Sequence, residues 1–417
     1  MVDITTYSTK RIASLYIFSL KRVPKYRGEL GDGSGSAVAS HPQAALEAED
    51  MKSRASLSII RLKRLTLIRK EALMATYYIG ADVHSNNTEL AIEQRGKIVA
   101  RYSMQTTIPA ISTILDSLQG RKIFAMEEGP MAGWLYRNLN EKVDKFIVAE
   151  PRRNKLITCE GDKDDRIDSG KLAALLRGNF LKAVHHTSDS HRAHLKHWIN
   201  LYHDRVRDAV RYINKIRACC RMHGIAIPRK VVRNHIHRHD WLSGLDNAVL
   251  KVQLQMLWIG YDATKEQVGL AKKQFSLLAR KYKIIKYWRK LPGVGPIRAA
   301  TIFAYLDTPW RFKNRAKLHK YCGVGLVRAT SGKDKKGRPK PARLKLPWAV
   351  NRRLKNAVMG AATSAIGHRD NAFKDYYERM LSNGITPANA KHSVARKMVS
   401  TMSAMWKTDS KFDEKLF

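Results

Sequence analysis

Cysteine is rare in this chain: Cys159, Cys219, Cys220 and Cys322 are the only four in 417 residues. That is too few for a disulfide framework and suits a reducing compartment. Long apolar runs are missing too. None approaches the roughly 20 residues that a membrane-spanning helix needs. The N-terminal run from Ile12 to Leu20 is short and closed by Lys21 and Arg22, which fits neither a signal peptide nor an anchor. A cytoplasmic location without membrane contact is expected. Acidic residues are the third scarcity: 36 Asp and Glu stand against 77 Lys and Arg, a formal net charge of +41.

Each scarcity sharpens what is present. A sequence pI near 10.2 implies a positive field that attracts phosphate backbones and makes binding salt dependent. Nucleic acid is therefore the leading partner, ahead of a merely basic soluble protein or an anionic membrane surface. The 44% apolar fraction and the length allow two or three domains with real cores. In so basic a chain, a carboxylate at the end of an apolar run is either salt-bridged or holding a cation.

Residues 1–73 carry a Gly/Ser/Ala stretch from Gly31 to Ser40 and no sustained periodicity. They read as disordered, or as an extension ahead of Met74, with a basic nucleic-acid arm as the alternative. From Thr76 onward strands and helices alternate. Strands are expected at Thr76–Asp82, Glu89–Glu93, Lys97–Tyr102, Lys122–Met126 and Lys145–Ala149, with helical spacing at Ile108–Leu118, from about Met131 to Leu139, and after Asp165. This is an α/β order over 74–188: a hairpin-rich start, then a parallel sheet with crossover helices.

Asp82 closes the first strand and Glu127 a central one, so both belong to the crevice at strand ends where open α/β sheets bind ligands. Asp165 and Asp168 are three apart at a helix start, which puts both on one face. Taken singly, an Asp at a helix start is as readily a cap. Glu128 and Asp164 are neighbours that could take the same roles.

Residues 189–287 read as helical or coiled-coil. Leu195, Ile199, Tyr202, Val206, Val210, Ile213 and Ile216 form one apolar stripe edged by Arg and Lys, and a second long helix is expected from about Leu250 to Tyr282. Between them, Cys219, Cys220 and His223 precede His235, His237 and His239, a set that could bind zinc. Its spacing matches no familiar finger and the flanking Arg and Lys repel a cation, so a basic solvated helix or loop is expected instead.

Residues 288–408 form the last domain, mostly helical, with 409–417 as a tail. Pro292-Gly293-Val294-Gly295 is a tight turn whose glycines would let backbone approach a phosphate, or simply connect two helices. Lys333–Lys340 is a basic loop, and Trp348, Arg352, Arg353 and Lys355 begin a helix reaching about Ile366. Thr330-Ser331-Gly332, read alone, is an ordinary loop.

Ile79-Gly80-Ala81-Asp82-Val83-His84, the strand-ending Glu127 and Asp165-Arg166-Ile167-Asp168 resemble the DEDD catalytic domain of the insertion-sequence transposases of family one-ten, relatives of the pilin-inversion recombinases. Leu291–Pro296 with Ala299 and Ala300 resembles that family's helix-hairpin-helix-like segment. Tyr321-Cys322-Gly323-Val324-Gly325-Leu326 with Ser331-Gly332 resembles its serine segment. The likeness runs from about Met74 to Trp406. It implies an RNase H-like sheet similar to a Holliday-junction resolvase (RuvC-like), with Asp82, Glu127, Asp165 and Asp168 holding a pair of Mg2+ ions and Ser331 as the nucleophile. It further implies double-stranded donor and target DNA, a structured noncoding RNA (a bridge RNA) as guide, contact of the coiled coil with RNA, and dimers or tetramers with sites built across protomers. One stretch departs from the family pattern: Pro341–Arg352 stands where relatives carry small residues.

Two other functions stay open at this point. One is a structure-specific nuclease in which the acids direct water and Ser331 is incidental. The other is a nonenzymatic DNA- or RNA-binding protein that keeps the fold.

Overall fold

A computed structural model describes residues 75–151, 165–329, 343–368 and 370–414 of the chain. Strands β1 (Thr76–Val83), β2 (Asn87–Gln94) and β3 (Lys97–Gln105) form an antiparallel meander. Arg95 and Gly96, both at positive φ, make its second turn, as a two-residue hairpin loop requires. Helix α1 (Ile108–Ser117) starts at Thr107, whose side chain accepts a hydrogen bond from the Ala110 N–H. It crosses to β4 (Arg121–Glu127), parallel to β1. Helix α2 (Ala132–Leu139) crosses to β5 (Lys145–Ala149), parallel to β4. Helix α3 (Asp165–Arg177) and the short β6 (Ala183–Val184) complete a six-stranded mixed sheet of order β3-β2-β1-β4-β5-β6.

The apolar runs of β4 and β5 are central because both faces of the sheet are covered. On one face Ile79, Ala81, Phe124 and Met126 pack with Ile111 and Leu115 of α1 and Leu135 and Leu139 of α2. On the other, Ala125, Ile147 and Ala149 pack with Leu172 and Leu176 of α3. The strands expected from the sequence are all present, most extended by one to three residues where pairing continues beyond the apolar segment.

Two long helices follow, α4 (Ser190–Met222) and α7 (Ala248–Ala279), separated by the short helices α5 (Arg229–Arg233) and α6 (Arg238–Ser243). Each long helix is about 50 Å at 1.5 Å per residue. They run antiparallel. Leu195 and Ile199, early in α4, share a core with Phe275, late in α7, while Ile213, Ile216 and Cys220 pack with Leu250 and Leu254 at the far end. The expected stripe is buried at Leu195, Ile199, Ile213 and Ile216 but not at Val210, which is exposed. The second helix stops at Ala279, short of Tyr282, because Tyr282 already precedes α8 (Lys283–Trp288) as its cap residue.

Helices α8, α9 (Pro296–Leu306), α10 (Arg315–Tyr321), α11 (Arg352–Gly367), α12 (Ala372–Ser382) and α13 (Pro387–Thr408) build the C-terminal core. Trp288 is fully buried there and donates its indole N–H to the Met402 carbonyl at 3.0 Å. A small antiparallel pair, β7 (Val327–Ala329) and β8 (Arg343–Lys345), lies between α10 and α11. The helix expected to begin at Trp348 begins instead at Arg352, where the Asn351 side chain accepts from the Leu354 N–H. Trp348 stays outside it and is 89% exposed.

Among the described residues no helix is long and apolar enough to cross a membrane. The expectation for residues 1–73 falls outside the described residues.

Candidate active site

Alternation along the strands decides which acids can meet. Side chains two apart share a face of a strand. Gly80 and Asp82 therefore look the same way from β1, toward α3, whose backbone lies directly against Gly80. Ala125 packs on the α3 side of the sheet, so Glu127, two residues on, projects from that side at the end of β4. Asp168 is in the first turn of α3. The carboxyl ends of two neighbouring parallel strands and the start of one helix thus bring Asp82, Glu127 and Asp168 to the same corner.

The electrostatics agree. Glu127 is exposed as a residue, yet its carboxyl is held above the usual carboxylate range. Partial desolvation contributes most, followed by the charges of Asp82 and Asp168. Three like charges are being held together. Asp82 also contacts the His84 ring, its Oδ2 lying 3.3 Å from Nε2. The backbone of Asp165 opens α3, but its side chain is outside the described residues, as is all of Asp164.

Glu128 points elsewhere. Its Oε2 is 2.7 Å from Nε2 of His186, and it lines a different cleft. One carboxylate escaped the sequence reading: Glu89 of β2 stands directly opposite Asp82 in the register. It is buried and accepts from Nδ2 of Asn87 at 2.9 Å. Directly opposed residues share a face, but only pairing register reveals it.

Among the described residues no three His, Cys, Asp or Glu side chains are drawn together closely enough to hold a metal ion as they stand. The donor chemistry still suits a hard divalent cation, since carboxylate oxygens are its preferred ligands, and a cation would relieve the repulsion felt by Glu127.

Ser331 and the basic stretch Lys333–Lys340 follow β7 in the sequence and lie outside the described residues. The thiol of Cys220 is fully buried in the core at the tip of the helical hairpin and pushed up to about 11, chiefly by burial. Cys219 donates to Oε1 of Gln253 at 3.3 Å. The expectation of a solvated segment holds for His223, His235 and His239, which are all exposed, but not for the cysteines, which pack at the junction of α4 and α7. Gly293 is likewise a packing residue. It sits at positive φ, and a β-carbon there would come within 2.2 Å of the Ala361 carbonyl oxygen.

Two family models match the chain in order. A transposase model, the DEDD domain of IS110, covers residues 79–223. The model described as Transposase IS116/IS110/IS902 family covers residues 286–378. Between them they span more than half of the chain. The protein belongs to the IS110 family of transposases. The matched spans contain Asp82, Glu127, Asp165 and Asp168 in the first and Ser331 in the second. An Insertion element IS110 uncharacterized 43.6 kDa protein of Streptomyces coelicolor is 25% identical over 154 residues, 37% of this chain and 36% of that protein. The similarity thus spans about a third of that relative's length. Membership in the family also supports the RNase H-like reading of the mixed sheet, with the helical C-terminal part following it as the sequence resemblance implied.

Proposed function

We propose that the chain is a DNA transposase that cuts and rejoins the ends of its own insertion element through a serine–DNA intermediate. The observation that carries this reading is the placement of Asp82, Glu127 and Asp168 at the carboxyl ends of the neighbouring parallel strands β1 and β4 and the start of α3, with the carboxyl of Glu127 raised by burial and by the other two. An acidic corner in a chain of net charge +41 is what handling a polyanion with a bound cation calls for.

Asp82, Glu127, Asp165 and Asp168 would hold Mg2+, two ions in the complete site. Such ions, when bound, polarise the scissile phosphate and offset charge on the attacking and leaving oxygens. Ser331 supplies the nucleophile. Its Oγ forms a bond to phosphorus as one P–O bond to deoxyribose breaks, and the released sugar oxygen takes the serine proton. Attack by another strand's hydroxyl on the phosphoserine reverses the exchange, so no outside energy is consumed. The catalytic sheet occupies 74–188, the helical region 189–287 and the serine-bearing domain 288–408. A structured noncoding RNA pairing with donor and target DNA supplies sequence choice, and the protein works as a dimer or tetramer in which acids of one protomer meet Ser331 of another.

The test is a denaturing quench of the reaction on the element's own end DNA. The expected result is DNA covalently attached to protein, absent in Ser331→Ala. Free DNA ends without attachment would make the protein a hydrolytic nuclease. Unchanged excision in cells carrying Asp82→Ala and Asp168→Asn would make it a passive binder.

A further inference from the structure

A second polar cleft, of about 220 Å3, opens beside Glu128 where the catalytic sheet, the start of α4 and the C-terminal helices meet. Its lining includes two carboxylates, and both are already taken. Asp307 sits with one oxygen 2.6 Å from His185 Nε2 and another 3.9 Å from Arg192 Nη1. Arg192 also donates to the Asp307 carbonyl. Glu128 is occupied by His186.

Three further cations converge without such a partner. Arg137 comes from α2, one turn beyond Gly133, which leaves room for its guanidinium. Lys196 comes from α4, one turn beyond Arg192 and one before Asn200, so all three look the same way. Arg311 comes from the short turn Pro309–Arg311 and lies over the Tyr321 ring, 4.2 Å from its centroid. All three are half-buried. Among the described residues none has a carboxylate within ion-pairing distance, and Lys196 has only the face of Tyr305 at 5.8 Å.

Charges of one sign held in a low-dielectric cleft repel one another. Burial first, then Arg311, lowers the pKa of Lys196 against the opposing pull of Asp307 and Glu128. Burial, then Arg137, His194 and Lys196, lowers that of His197. Arg137, Arg192, Lys196 and Arg311 outnumber the two carboxylates of the lining, which leaves positive charge that an anion would offset. Arg presents a fork matched to phosphate and Lys a point charge. The volume falls below the roughly 300–1,000 Å3 of pockets that take whole drug-sized ligands, so it suits a phosphate group and not a nucleoside.

We propose that Arg137, Lys196 and Arg311 form a dedicated seat for one backbone phosphate of the DNA strand that enters the acidic corner. The position supports a strand phosphate: Glu128, on the cleft wall, follows Glu127, so the two sites lie at the same end of the sheet on either side of one peptide unit. The inference rests on the transposase reading for the identity of the strand. It adds a positioning contact away from the bond that is cut, which fixes register as phosphate contacts do.

Amine-selective acylation of the full chain, read residue by residue by mass spectrometry, tests this. The probes are a duplex oligonucleotide, inorganic phosphate and no addition. DNA is expected to slow acylation of Lys196 about tenfold, the scale of a charge-assisted contact. Arg137→Gln should abolish that protection while the other lysines stay protected, and Arg137→Lys should retain most of it. Protection of other lysines by DNA with Lys196 still reactive overturns the seat and leaves the transposase reading standing. Protection by inorganic phosphate but not by DNA overturns it in favour of a free-phosphate site. Absence of DNA protection at every lysine overturns both readings.

Discussion

A β-carbon placed on Gly80 would lie 2.2 Å from the carbonyl oxygen of Ser169, backbone against backbone. Helix α3 reaches the face of β1 only because this position has no side chain, and Asp168 is the residue before Ser169. Gly80 therefore sets the distance between Asp82 and Asp168 from outside the carboxylates. Gly80→Ala has no flexible neighbour to push aside. It should destabilise the fold by about 3 kcal/mol, the upper part of the range for overpacking, measured as a lower denaturant midpoint. Strand cleavage by the fraction still folded should fall as well, because Asp168 moves with α3.

Glu127 gives a prediction of opposite sign. Its carboxyl is raised in the folded chain, so the folded state binds the proton more tightly than the unfolded one. Stability from this group is complete below the usual carboxylate pKa and is lost as pH rises through the raised value. At neutral pH the ionised Glu127 is a liability without a cation. Glu127→Gln should raise the melting temperature of metal-free protein by on the order of 1 °C after allowing for solvent screening. Added Mg2+ should stabilise the native chain and leave the variant nearly unmoved.

Asp82→Asn and Asp168→Asn should each reduce DNA strand cleavage by about 10²–10³-fold, the scale for removing one preorganised electrostatic contact. Asp116→Asn, which breaks an exposed ion pair with Lys142, should leave cleavage unchanged. A gel assay of 5′-labelled element ends checks all three.

The tip of the helical hairpin separates a core thiol from a metal ligand. Cys220→Ser places a hydroxyl in an apolar core and should lower stability by roughly 1–3 kcal/mol. Any shift in melting temperature that zinc produces should be the same in Cys220→Ser as in the native chain, since the Cys220 thiol is held neutral by burial.

What could be read from the sequence was whatever one segment determines alone. The apolar runs ending at Asp82 and Glu127 identify strands and place each acid at a strand's end, and Asp168 is legible as part of a helix start. Facing is a tertiary property in part: period-two alternation relates Ala125 to Glu127, but only the packing of α3 shows which face carries the acids. Glu89 gains its position opposite Asp82 from pairing register. The cleft of Arg137, Lys196 and Arg311 joins three elements far apart in the chain, and in a sequence this basic no single cation stands out. Gly293 reads from the sequence either as a phosphate approach or as a helix connector, and only the packing decides for the connector: the space beside its Cα is filled by Ala361.

The central claim is that Asp82, Glu127 and the aspartates of α3 share divalent ions. Fe2+ substituted for Mg2+ and supplied with ascorbate and peroxide cleaves protein backbone beside the bound metal, and mass spectrometry locates the cuts. Cuts are expected at the ends of β1 and β4 and at the start of α3, all three lost together in Asp82→Asn. Cuts confined to other segments, or a pattern that Asp82→Asn leaves intact, would contradict the account.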